Sequence, residues 1–152
     1  MIQRIQTVYL ALLVICLGVT FAFPFASYPI NDSIIELNAF GVSENTLKVS
    51  TWFPYYVTLG LSMGLGVITI SKFKNRKLQL KIGNINYLII ILSLVFISID
   101  SDGTATKLGI LPTSISYGIG MFLPVAALVF QFLANRGIKA DEKLIKSMDR
   151  LR

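Results

Sequence analysis

The chain has 152 residues, of which 54% are hydrophobic and only 14% charged, with a net charge of +6. A soluble domain of ordinary composition carries about 25% charged residues, so the deficit places this chain in a solvent less polar than water, as a single membrane domain. Histidine is absent and Cys16 is the sole cysteine, which removes the commonest general base, the commonest metal ligand and any disulfide within the chain.

Four apolar segments follow one another, at about residues 5–25, 52–71, 82–99 and 112–134, each near the roughly 20 residues that cross a bilayer as a helix. The first follows Arg4 and holds "VYLALLVICLGVTFAF". It resembles a secretory signal, but its core is long and no clean small-x-small cleavage site follows, so a retained span is expected. Residues 26–51 are too many for a simple turn. There "SIIELNAF" alternates Ile35, Leu37 and Ala39 against Glu36, Asn38 and Phe40, and "LKVSTW" alternates again after the turn-rich "GVSEN". That pattern predicts a small β-hairpin.

The second segment carries Gly60 and Gly64, with Ser62 and Gly66 repeating the spacing one step around. Small residues four apart let helix backbones approach closely. Packing within one bundle is favoured over a homodimer seam. The third segment is rich in β-branched residues yet must be helical, because unpaired backbone groups are not tolerated in hydrocarbon. Asn84 and Asn86 lie at its mouth, where water or headgroups are expected to reach them. "DSDGTATKLGILP", from Asp100 to Pro112, reads as a polar turn. A calcium loop would need about five oxygen-donor positions. In the fourth segment Gly118 and Gly120 precede Pro124, which removes a helix hydrogen bond and predicts a kink. Gln131 is the most polar residue of that segment, close to its basic end.

No Asp, Glu, Lys or Arg falls inside the apolar segments, which argues against an ion-coupled transporter. All basic residues except Lys48 and Lys107 lie before the first segment, between the second and third, or after the fourth. The positive-inside rule then puts both termini in the cytoplasm. Nucleic acid is not expected as a partner, because Phe73 is the only aromatic residue among the loop lysines.

Residues 139–152 are the most charged stretch. On a helix, Lys139, Lys143, Lys146 and Arg150 form a basic stripe, and Leu144, Ile145, Met148 and Leu151 gather opposite, interrupted by Asp141. Such a two-faced segment suits either an anionic leaflet or a protein partner. The interspersed acids favour protein, with Leu144, Ile145, Met148, Leu151, Lys143, Lys146 and Arg150 as the contact residues.

"MIQRIQTVYL" at the start, "KNRKLQLKIGNIN" over 74–86 and "KADEKLIKSMDRLR" at the end together resemble a Bacteroidota family of small four-span proteins catalogued as a domain of unknown function. The resemblance implies a bacterial inner membrane and a chain that starts uncleaved at Met1; it brings no activity with it. The expected fold is an all-α membrane protein. It would be a bundle of four transmembrane helices over 1–138, with both termini cytoplasmic, a small outer cap containing a β-hairpin, and an amphipathic tail over 139–152. The expected function is non-enzymatic, without cofactor, metal or catalytic residue: an accessory or scaffold subunit among other inner-membrane proteins in the lipid bilayer. The alternative is a facilitator or binder of a lipid or other apolar solute.

Overall fold

A computed structural model describes residues 2–30, 33–42, 54–73 and 75–149, with side chains described between Ile5 and Leu144 except those of Ser33 and Pro112. The chain is mostly helical. Four helices, α1 (Ile2–Thr20), α2 (Tyr55–Ser71), α3 (Arg76–Lys107) and α4 (Ile119–Asp149), are joined by four short strands, β1 (Ala26–Ile30), β2 (Ser33–Asn38), β3 (Gly41–Val42) and β4 (Ser116–Tyr117). α1 packs against α2 and α4, and α3 packs against the same two, so the helices close a ring.

Each helix turns one narrow seam inward at alternating spacings of three and four. Buried positions are Gln6, Leu10, Leu13, Leu17 and Thr20 on α1, and Tyr55, Leu59, Ser62, Gly66 and Thr69 on α2. On α3 the seam runs Gln79, Gly83, Asn86, Ile90, Ser93, Ile97 and Asp100, and on α4 Gly120, Pro124, Ala127, Gln131, Ala134, Ile138 and Asp141. This is the seam of near-parallel helix packing. It is unusually rich in small and polar residues.

The helix ends depart from the spans expected of the apolar runs. α1 ends at Thr20, five residues early. The N–H groups of Phe21, Ala22 and Phe23 donate to the carbonyls of Gly18, Val19 and Thr20 in a tightening last turn, and Pro24 bars Phe23 from helical backbone. α4 begins at Ile119 instead of about 112, because residues 112–114 form a 3-10 turn and β4 pairs with β1 through Ala26–Tyr117 and Ser27–Ser116. α3 is longer than its apolar core at both ends. Asn75 caps its start, the side-chain oxygen accepting from Leu78 N–H at 3.2 Å.

At the other end of α3 the expected polar turn is helix as far as Lys107. The hydroxyls of Ser98, Ser101 and Thr106 donate to the carbonyls of Leu94, Ile97 and Asp102, so these polar side chains are satisfied by their own helix. The turn falls instead at Leu108 and Gly109, where Gly109 has φ +69°. α3 and the stretch Ile119–Leu144 of α4 are long and apolar enough to cross a membrane; α1 and α2 are shorter apolar helices.

The strands form one sheet in the order β3-β2-β1-β4. β2 does alternate as its sequence predicts, with Ile35, Leu37 and Ala39 buried. Its hairpin partner, however, is β1, with Ala26 opposite Leu37 and Ile30 opposite Ser33, while Leu37 and Asn38 also pair with Val42 and Gly41. The "LKVSTW" strand lies outside the described residues. Pro29 breaks the alternation of β1, so that strand carries no strand pattern in its sequence. The sheet's inner face places Phe25, Tyr28, Ile35 and Leu37 over the ends of α2 and α3, where Tyr55 and Ile97 complete the core.

Candidate functional site

The most organised polar feature is a chain of side-chain hydrogen bonds across three helices. Ser62 Oγ on α2 donates to Asn86 Oδ1 on α3 at 2.7 Å, and Asn86 Nδ2 donates to Gln131 Oε1 on α4 at 2.9 Å. Gln131 Nε2 then donates to Asn135 Oδ1 at 2.9 Å, and Asn135 Nδ2 to Asn84 Oδ1 at 3.1 Å. Ser62, Asn86 and Gln131 are fully buried, Asn135 half-buried and Asn84 exposed. Asn86, Gln131 and Asn135 each give an N–H to one neighbour and receive on the oxygen from the other, so the relay has a single direction and ends on Asn84 Oδ1.

Gly83 makes room for the relay, since a Cβ there would lie 2.3 Å from Asn135 Oδ1 and 3.0 Å from Gln131 Nε2. Asn86 was expected within reach of water and is instead sealed among the helices, because it lies on the inward seam of α3. The signal that could have revealed it is that seam: Gln79, Gly83 and Asn86 continue the apolar spacing of Ile90 and Ile97 with small and polar residues.

The relay's exposed end opens on a groove of about 730 Å³ between α3 and α4. Its α3 wall is Leu80, Asn84 and Tyr87; its α4 wall runs from Phe132 through Asn135, Arg136, Lys139 and Ala140 to Lys143. Three cations therefore face a groove whose lining contains no acidic residue. Among the described residues no group of three or more His, Cys, Asp or Glu gathers to hold a metal ion.

At the same end of the molecule Asp141, 5% exposed, ties three helices together. Gln6 Nε2 on α1 donates to its Oδ2 at 2.7 Å, and Arg76 on α3 reaches the same oxygen at 3.3 Å. The residue that interrupts the apolar face of the tail is thus the one that fastens it. α4 runs through residues 138 and 139 without a break. At the sheet end, Tyr55 donates to Asp100, and Tyr28 donates to the Ser101 carbonyl at 3.0 Å. Burial pushes the Tyr28 hydroxyl up to about 12.

The predicted packing residues divide. Gly66 lies under Leu13 and Val14, at 3.0 Å from each for a built Cβ, and Ser62 enters the relay. Around Gly60 and Gly64 a Cβ would meet nothing within 4 Å. Pro124 is buried in the second turn of α4, which continues on both sides of it. Gly118 and Gly120, which precede it, let the segment after α1 cross: their N–H groups donate to the Phe25 and Pro24 carbonyls at 2.9 and 3.1 Å. Of the tail residues, Lys143 lines the groove and Leu144 is 54% exposed. The side chains of Ile145, Lys146, Met148, Arg150 and Leu151 lie outside the described residues.

Compared with curated proteins and with solved structures, the chain finds no match. The family model described as "Domain of unknown function (DUF4293)" matches residues 2–151, nearly the whole chain, and the protein belongs to that family.

Proposed function

We propose that this is a bacterial inner-membrane protein whose four helices all cross the bilayer, with both termini in the cytoplasm, serving as a non-enzymatic scaffold or accessory subunit. One observation carries the reading: the helices are apolar outside and polar at their seams. Val8 and Ile15 of α1, Val57 and Leu61 of α2, Leu88 and Leu92 of α3, and Phe122 and Val129 of α4 are each about half exposed or more. In water that surface would be an aggregation hazard. In lipid it costs nothing, and association then falls to small residues and interhelical hydrogen bonds, which is what the seams contain. At about 1.5 Å per residue, α1 and α2 span about 28 and 26 Å, close to the roughly 30 Å hydrocarbon thickness.

Membrane sidedness can be read by labelling single cysteines in a Cys16→Ser background. Positions 3, 77 and 139 should react only from the cytoplasm, and positions 40 and 114 only from outside. Reaction of positions 40 and 77, or of positions 114 and 139, from one side would refute four spans.

The scaffold reading is supported by a filled centre. Leu13, Leu17, Leu59, Ile90, Ile97 and Ala127 leave the middle to packed side chains rather than to a conduit. α4 also extends about 46 Å, well past the hydrocarbon, and carries Lys143 and Leu144 exposed on that extension. In mild detergent the full chain should hold a stoichiometric partner that a truncation after Glu142 loses, since that truncation keeps Asp141 and its ties. A bare monomer in both cases would end the scaffold reading.

A further inference from the structure

We infer that the groove between α3 and α4 binds the headgroup of an anionic phospholipid from the leaflet around it. The inference rests on the membrane-spanning reading above and adds a ligand to it. Arg136, Lys139 and Lys143 stand at i, i+3 and i+7 along one side of α4, all exposed and all lining the groove. Asp141, on the same stretch of helix, is turned the other way toward Gln6 and Arg76 and does not neutralise them. A planar guanidinium and two ammonium groups suit a phosphodiester, the first as a two-pronged donor and the others as point charges. Basic pockets between helices on the cytoplasmic side are the places where anionic headgroups are held.

The amide relay prepares this site. Asn84 Oδ1 is occupied by the N–H of Asn135, so the uncommitted half of the Asn84 amide is its pair of N–H donors, on a residue that lines the groove. Donors are what a phosphate oxygen needs.

The level of the groove identifies a lipid rather than a free anion. It straddles the point where the apolar run of α3 begins, near Ile82, and that of α4 ends, near Ala134. Phe132, Tyr87 and Leu80 form its apolar part and the cations its polar part. A ligand with a negative head and a hydrocarbon root uses both. Free phosphate would use only one.

The test uses the full-length protein in mixed micelles with phosphatidylglycerol or phosphatidylcholine, reading retained lipid by native mass spectrometry. A preference of at least about tenfold for phosphatidylglycerol is expected. Arg136→Gln/Lys139→Gln/Lys143→Gln should abolish it, and the single change Lys139→Glu should lower it at least about threefold in a chain with little reason to misfold. Lys72→Gln/Lys77→Gln/Lys81→Gln removes the same charge from outside the groove and should leave the preference intact. Equal losses in the two triple variants, or no preference in the parent, would overturn the site. So would displacement of the lipid by soluble glycerol phosphate at equal concentration, which would mark a free-phosphate site. A protein that labels as a four-span chain yet shows no headgroup preference refutes this inference alone; failure of the labelling pattern refutes the spanning reading.

Discussion

α4 meets its neighbours closely at both ends, and the two contacts use glycine differently. At the sheet end Gly118 and Gly120 face backbone: a Cβ would lie 2.4 Å from Pro24 O in the first case and 2.5 Å from Phe23 O in the second. At the basic end Gly137 faces the Gln6 side chain, with a Cβ 2.9 Å from Gln6 Cγ. One contact is rigid because peptide carbonyls fixed in a strand junction have nowhere to go. The other is softer because a side chain, although held to Asp141, can shift where a peptide carbonyl cannot. Helix ends near the sheet are therefore set by backbone fit, and those near the basic residues by side-chain hydrogen bonding.

The largest effect should come from the rigid contact. Gly118→Ala forces apart the crossing that holds β1 to β4 and should cost roughly 3 kcal/mol, at the upper end of overpacking. Gly137→Ala should cost less, about 1 kcal/mol, since Gln6 can shift but must strain its bond to Asp141 to do so. Unfolding midpoints in a denaturing detergent series would compare them. Equal losses would remove the distinction between the two ends.

At the basic end the sensitive point is Asp141, not glycine. Asp141→Leu leaves Arg76 facing a buried apolar side chain and takes the acceptor from Gln6 Nε2. A loss of about 2 kcal/mol is expected, below that of a wholly buried pair because the Arg76 side chain is 22% exposed. Protease sensitivity of the segment after residue 138 should rise in parallel. If the midpoint falls while that segment stays protected, Asp141 stabilises the helices without fastening the tail.

Gly83→Ala ranks next, at about 1 to 1.5 kcal/mol, because its Cβ must displace the Asn135 amide and break two hydrogen bonds that each contribute about 0.6 kcal/mol in membrane helices. In an Asn135→Ala background the same change should cost little more, since the obstructing amide and its two hydrogen bonds are already absent. A further loss as large as in the parent would mean that the clash lies with Gln131.

These ranks also show what could be read from the chain unaided. The middles of all four helices were legible, because a long apolar run admits few alternatives. Their ends were not. Hydropathy does not register that Gly118 must pass Pro24, or that "DSDGTATK" stays helical once Tyr55 meets Asp100 from a helix begun 45 positions earlier. The relay was half legible: Asn86 and Gln131 stood out as polar, but their pairing depends on the register between α3 and α4, which no local pattern encodes. Asp141 was misread as a blemish on an apolar face. Periodicity rules score a carboxylate as exposed, and only its partners on two other helices make it an inward residue. The basic stripe was seen, whereas the groove behind its first turns required α3 beside it.

The smallest effect separates two readings of the second helix. Gly60 and Gly64 share the GxxxG spacing, yet a Cβ at either meets nothing within 4 Å, while Gly66 lies against Leu13 and Val14. Packing within one chain therefore uses Ser62 and Gly66 and leaves the glycine pair facing outward. If only lipid covers it, Gly60→Ala/Gly64→Ala relieves two costly helical glycines and raises stability by about 0.5 kcal/mol for each. Gly66→Ala should instead cost about 1 kcal/mol through its two tight neighbours. Particle size in mild detergent should not change in either variant. A double variant that unfolds earlier and runs as a smaller particle would show the pair pressed against a second copy, because added methyls hold two helix backbones apart only where a facing backbone is present. The sign of a change near 1 kcal/mol thus decides whether the outward face of α2 belongs to lipid or to another chain.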